Sequence, residues 1–197
     1  MNIFFVLQDP LSIECDLLIV PVGKDDGLAW SETAAAANSV LESNLATAAD
    51  LEQFRGKTES SLILPTFGRL PAARVMLMGI GNVDDITRPS LARTIGAALK
   101  EARARGAGSV AISLPEALPG IPLTDALATA ALAAQMSLYR FDTYRGSASR
   151  DERNKEIASL SFVCPDIDDA TGVAAVERAS AIARGVNMAR DLGNEPG

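Results

Sequence analysis

An α/β fold, a sheet covered by helices, is what three features of the 197-residue sequence predict. Short apolar runs rich in β-branched residues alternate with helical-period segments from one end of the chain to the other. Several of those runs are nearly continuous in apolar residues, as strands buried on both faces are. With 48% hydrophobic residues, the chain has enough apolar surface to offset its ordering entropy. The length fits one well-cored domain, or a domain with a short appendage.

Six strands are expected in order: Asn2 to Leu7, Asp16 to Val22, Ser61 to Leu64, Arg74 to Met78, Ser109 to Ser113 and Ser159 to Cys164. Between the second and third, one helix is expected to begin near Ser31 and cover the alanine-rich Thr33 to Leu41, and another to run from Leu45 to Phe54. Arg88 to Arg105 reads as the next helix. Thr87 caps its first amides, Pro89 suits its first turn, and Gly106 with Gly108 supplies the stop. Thr124 to Ser137 follows, with Pro119 and Pro122 ahead of it. The last helix starts near Asp168 to Thr171, and its docking stripe is expected along Val173, Val176, Ala179, Ile182, Val186 and Ala189. No internal repeat or low-complexity tract interrupts this order.

The formal charge of -7 and pI near 4.7 set the surface against a phosphate backbone, which needs clustered Lys and Arg to release counterions. Nucleic acid is therefore not expected as the main partner. The most basic stretch, from Arg140 to Lys155, mixes its five cations with Asp142, Asp151 and Glu152 and reads as a solvated face. The segment from Met1 to Leu7 has no basic leader and meets Gln8, Asp9 and Pro10 too soon for a secretory signal. No apolar run approaches the roughly 18 residues that span a bilayer, so a cytoplasmic protein is expected. Cys15 and Cys164 are too few for a disulfide scaffold or a thiolate zinc site, and Cys164 reads as an inert core thiol. Histidine is absent. That removes imidazole-based nucleophile systems and every His-ligated metal site.

Three features could carry chemistry, and each has a plainer reading. Gly79, Gly81 and Asn82 follow an expected strand and precede a helix, where glycines let amides approach a phosphate. The third glycine of a dinucleotide fingerprint is missing and Asp84 stands near its place, so a tight turn is favoured. The pairs Asp25-Asp26, Asp84-Asp85 and Asp168-Asp169 could hold a hard cation, but no further oxygen ligand follows at useful spacing and caps or turns are favoured. The segment from Tyr139 to Tyr144 could stack a base, whereas its place after an alanine-rich helix favours Tyr139 and Phe141 as anchors on the core. No catalytic residue and no metal ligand is nominated.

The stretch from Ala181 to Pro196 carries the most specific pattern. A long alanine-rich helix runs into Arg190-Asp191-Leu192, one residue, Asn194, one residue, and Pro196. This resembles the passage from the amino-terminal to the catalytic domain in the leucyl aminopeptidase, or cytosol aminopeptidase, family. Asp16 to Val22 resembles that family's early strand, Arg74 to Gly81 its strand ending in Gly-x-Gly, and Tyr139 to Asp142 its Tyr-x-Phe-Asp element. Ala133 to Met136 departs from it in lacking a Glu-Gly pair.

The resemblance implies a three-layer α/β/α domain with a mixed, mostly parallel sheet, similar to macro domains. Residues 1–170 would form that domain, and residues 171–197 the helix and the start of a linker to a catalytic domain outside this chain. It implies a metallopeptidase that removes amino-terminal residues from peptides with two divalent cations, Zn or Mn, whose ligands all belong to the catalytic part. For this chain it implies no catalytic residue and no cofactor, a structural role for Arg190, Asp191, Leu192, Asn194 and Pro196, and a share in access to the active sites and in a homo-hexamer. The alternative is a free-standing macro-type module that binds ADP-ribose or a related nucleotide. Binding of DNA, known for some bacterial family members, ranks last because of the acidic charge.

Overall fold

The computed structural model describes residues 1–114, 118–141 and 156–195. The strands are β1 (Asn2–Val6), β2 (Leu17–Lys24), β3 (Leu28–Trp30), β4 (Ser61–Pro65), β5 (Arg74–Gly81), β6 (Ser109–Ser113) and β7 (Ser159–Val163). The α-helices are α1 (Glu32–Val40), α2 (Asn44–Leu51), α3 (Arg88–Ala104), α4 (Leu123–Ser137) and α5 (Asp169–Asn194). The sheet runs β1-β7-β6-β2-β5-β4 with β3 added to the end of β2. Neighbours are parallel except at β4–β5 and β2–β3. It is the mixed, mostly parallel sheet of the expected class.

Period-two alternation in the central strands divides the core in two. Leu17, Ile19, Met76 and Met78 face the layer made by α3, α4 and α5. Leu18, Val20, Val22, Val75 and Leu77 face α1 and α2, where Leu11, Ile13 and Cys15 of the β1–β2 connection also pack. Burial pushes the Cys15 thiol up to about 11. Asp16 fastens the start of β2 to β6: its carboxylate accepts from the amides of Ser109 (3.0 Å) and Gly108 (2.7 Å). Those bonds, led by the one from Ser109, hold its pKa below the usual carboxylate range against the opposing effect of burial.

Helix starts follow side-chain capping. Ser31 accepts from the Ala34 amide, Thr87 and Ser90 form a reciprocal capping box, and Asp168 accepts from the Thr171 amide. Helix α3 gives way at Arg105 to Gly106, whose φ of 71° is the left-handed conformation that glycine supplies without strain.

Three expectations need correction. Strand β5 does not stop at Met78 but continues through Gly79 and Gly81, because β2 and the 56–60 loop provide hydrogen-bond partners that far. The three-residue β3 has no counterpart among the expected strands. The docked stripe of α5 is narrower than the one expected: Val176 and Ala179 are buried as expected and are joined by Gly172 and Ala183, whereas Val173, Ile182 and Ala189 are exposed. Small size decides the docked face. A Cβ on Gly172 would overlap the Phe5 ring, so the helix approaches β1 along its smallest residues.

Candidate functional site

The glycine turn sits where the carboxyl ends of β2 and β5 meet the 56–60 loop. The Gly79 amide donates to the Ser60 carbonyl (2.8 Å), the Gly81 amide to the Gly56 carbonyl (2.9 Å), and the Glu59 amide to the Gly79 carbonyl (3.2 Å). A Cβ on Gly79 would overlap the Lys57 carbonyl oxygen and the Ser60 hydroxyl, and one on Gly81 would overlap the Thr58 hydroxyl. The chain thus approaches itself here, and the amides that would face a phosphate are engaged. Asn82 accepts from the Asp84 amide (3.2 Å) and donates to the Asp85 carboxylate (3.1 Å), capping the short 3-10 turn Val83–Asp85.

A crevice of about 280 Å³ opens beyond the carboxyl ends of β1, β6 and β7, the position where open α/β sheets commonly take ligands. Its lining includes Asp9, Glu32, Thr33, Ser113 and Asp166. The Ser113 hydroxyl donates to that of Thr33 (3.2 Å), and Asp9 accepts from the Leu11 amide (2.9 Å). Three carboxylates around so small an opening oppose a pyrophosphate. Of the acidic pairs, Asp168 is the α5 cap and Asp84 and Asp85 lie in the 3-10 turn. Among the described residues no three His, Cys, Asp or Glu side chains gather as metal ligands, so they do not fit a cation pair, which needs several carboxylates.

The family-like motif makes the most elaborate polar cluster. The last carbonyls of a helix lack partners within it, and at the end of α4 side chains from other helices supply them. Asn187 donates to the Gln135 carbonyl (3.5 Å), Arg190 to that of Met136 (3.1 Å), and Arg103 of α3 to that of Leu138 (3.4 Å). Beside them the Tyr139 hydroxyl donates to the Asp191 carboxylate (2.5 Å), and the Arg190 guanidinium lies 5.4 Å from the centre of the Tyr139 ring. The bond to Asp191 raises the phenol's pKa above its ordinary value. Arg140 pairs with Glu156 (3.3 Å).

The structure therefore brings together two segments read separately in the sequence, Tyr139 and the Arg190-Asp191 pair. Leu192 and Asn194, on the same helix, are exposed, while Pro196 and residues 142–155 lie outside the described residues. Asn187, Gln135 and Arg103 escaped sequence reasoning. Asn187 stands three residues before Arg190, which puts both on one helical face, but their acceptors are backbone carbonyls, which no residue pattern displays.

Helices on both faces of a mixed, mostly parallel sheet in this strand order define the class: a macro-like α/β domain. The shape is shared with a Trypanosoma brucei macrodomain in complex with ADP-ribose (TM-score 0.66, 16% identity, 91% of this chain and 69% of that one). It is also shared with a tomato leucine aminopeptidase mutant (TM-score 0.78, 20% identity, 100% and 38%) and with the bottromycin maturation enzyme BotP in complex with Mn (TM-score 0.66, 21% identity, 92% and 32%). Residues 19–148 match the model of the cytosol aminopeptidase family, N-terminal domain. The chain belongs to that family and constitutes its N-terminal domain. A probable cytosol aminopeptidase of Geobacter sp. (strain M21) is 31% identical over 198 residues, covering 100% of this chain and 38% of the relative. The chain thus spans under two-fifths of the length of the curated relatives it matches.

Proposed function

We propose that the chain is the non-catalytic part of a cytoplasmic metallo-aminopeptidase that releases amino-terminal residues, often leucine, from peptides, and that its role is structural. One observation carries this: the alignment takes in all of this chain and only 38% of the relative, which leaves the larger remainder to supply the chemistry. In this reading residues 1–170 form the macro-like domain and residues 171–197 the helix and the start of the linker. Arg190, Asp191, Leu192, Asn194 and Pro196 fix the direction in which the chain leaves. Two divalent cations, Zn or Mn, belong to the remainder, which alone meets the peptide, and the domain shapes access to it within a homo-hexamer. Among the described residues no helix is long and apolar enough to cross a membrane.

The likeness to macrodomains favours a second reading, a nucleotide-binding module at the carboxyl-end crevice. Against it stand the carboxylates of Asp9, Glu32 and Asp166 and the engaged amides of Gly79 and Gly81. Hydrolysis of a leucine chromogenic amide, with Mn or Zn added, tests the first reading. The 197-residue chain is expected to be silent and the polypeptide extended along its own reading frame to be active and chelator-sensitive. Turnover by the 197-residue chain alone would overturn it. Calorimetric titration with ADP-ribose tests the second, for which saturable micromolar binding is required.

A further inference from the structure

Helix α5 has two apolar faces, and only one of them is covered by the described residues. The docked face carries Gly172, Val176, Ala179 and Ala183, all buried. On the opposite side Ala174, Ala181, Gly185, Met188 and Leu192 follow one another at spacings of seven, four, three and four, and every one is exposed. Ile182 borders this line. Met188 is 65% exposed, Leu192 63% and Ile182 49%. A helix on the surface of a finished protein shows polar residues there.

The glycines sharpen the point. Gly172 is required inside the chain, since any Cβ would overlap Phe5, whereas a Cβ on Gly185 would meet no atom within 4 Å. Glycine in a helix interior weakens the helix, and none of the described residues packs against residue 185 closely enough to require it. Small residues flanked by large apolar ones are the arrangement that lets a second backbone come close.

We infer that the Ala181–Leu192 face of α5 is the seat of a helical segment from the polypeptide that follows this domain in the longer family members. This rests on the proposed function, and it adds the surface and the mode of contact. Two observations favour that occupant over a second copy. Curated relatives continue well past the region that matches, and the stripe runs along α5 into the residues that lead there. A tethered segment meets the stripe at high effective concentration, whereas two free proteins need roughly 20–30 residues a side, and the stripe offers six. Asn187 and Arg190 hold the other side of the same turns to α4, and Asp191 holds Tyr139 just beyond it, so the stripe presents itself in a fixed direction.

The test is maleimide labelling of M188C in the 197-residue chain and in the chain extended along its own reading frame. Cys15 and Cys164, both with pKa values raised by burial, supply a slow background. Labelling is expected to be at least tenfold slower in the extended polypeptide. Adding G185L should restore fast labelling there while leaving the melting temperature of the 197-residue chain unchanged or higher. Equal labelling rates in the two lengths would overturn the inference, as would a stop codon directly after residue 197. Concentration-dependent protection in the 197-residue chain would overturn it in favour of a second copy. Leucine amide hydrolysis is read in parallel: protection without activity sinks the proposed function and spares the docking, and activity without protection does the reverse.

Discussion

Replacing Gly79 by Ala separates a glycine needed for packing from one kept open for a ligand. Gly79 has no positive φ, so alanine is conformationally acceptable and its cost is steric. The new methyl would overlap the Lys57 carbonyl oxygen and the Ser60 hydroxyl and stand 2.8 Å from the Gly56 carbonyl carbon. The glycine cannot retreat, because β5 is paired with β2 at Val22↔Gly79. The 56–60 loop must move instead, which breaks the bonds linking Gly79 to Ser60 and Glu59. Overpacking costs about 1–3 kcal/mol and each of the two lost backbone bonds about 1 kcal/mol, so a loss of about 3 kcal/mol is expected at the least. For a chain of this size that is a fall of roughly 6–12 °C in melting temperature, measurable by circular dichroism. Gly185→Ala, in open space, should instead raise stability by up to about 1 kcal/mol. A Gly79→Ala protein melting within 2 °C (about 1 kcal/mol) of the parent would refute the reasoning and return the turn to the list of ligand sites.

Asp16→Asn should cost about 1–2 kcal/mol at pH 7, since two amides lose a charged acceptor. Because the folded pKa of Asp16 lies below its unfolded value, its contribution is complete above the unfolded pKa of about 3.9 and fades as pH falls through the folded one. Urea midpoints of parent and variant should therefore converge in acid, and a gap that stays constant down to pH 2 would contradict this. Phe67 adopts φ 54° at the β4–β5 turn with 84% of its surface exposed, so its ring gains little to offset the left-handed backbone. Phe67→Asn is expected to stabilise by about 0.5–1 kcal/mol, read from the same midpoints. Tyr139→Phe removes the donor to Asp191, and hydrogen exchange of amides 187–194 should speed up while the sheet amides stay unchanged. Unaltered exchange in that segment would show that the contact does not hold the helix.

What the sequence disclosed, and what it concealed, follows from how each element is specified. Strands β2, β5 and β6 are legible because both faces are buried along most of their length, which requires apolar runs such as Leu17–Val20 and Val75–Met78. Helix α3 is legible because Thr87, Pro89 and Gly106 mark its ends locally. Strand β3 is concealed, because Leu28–Trp30 is short and becomes a strand only by pairing with Val22–Lys24. The docked face of α5 is legible only in part: apolar spacing selects Val176 and Ala179 correctly but also Val173 and Ile182, and it passes over Gly172, which the sheet selects because it is small enough to touch Phe5.

The candidate site follows the same division. The motif at Arg190 and Asp191 was visible as a pattern, but its physical work was not, since its partners are a backbone carbonyl and a phenol some fifty residues earlier. Once those contacts are in place, the motif's position makes sense as a joint. It satisfies the exposed end of α4, fixes the azimuth of α5, and turns Met188 and Leu192 outward. A helix fastened on one face by hydrogen bonds and left apolar on the other is costly in isolation and useful only with something to receive it. The missing counterpart is therefore a packing partner before it is a substrate, and α5 is the part of this domain where the remaining function has to be sought.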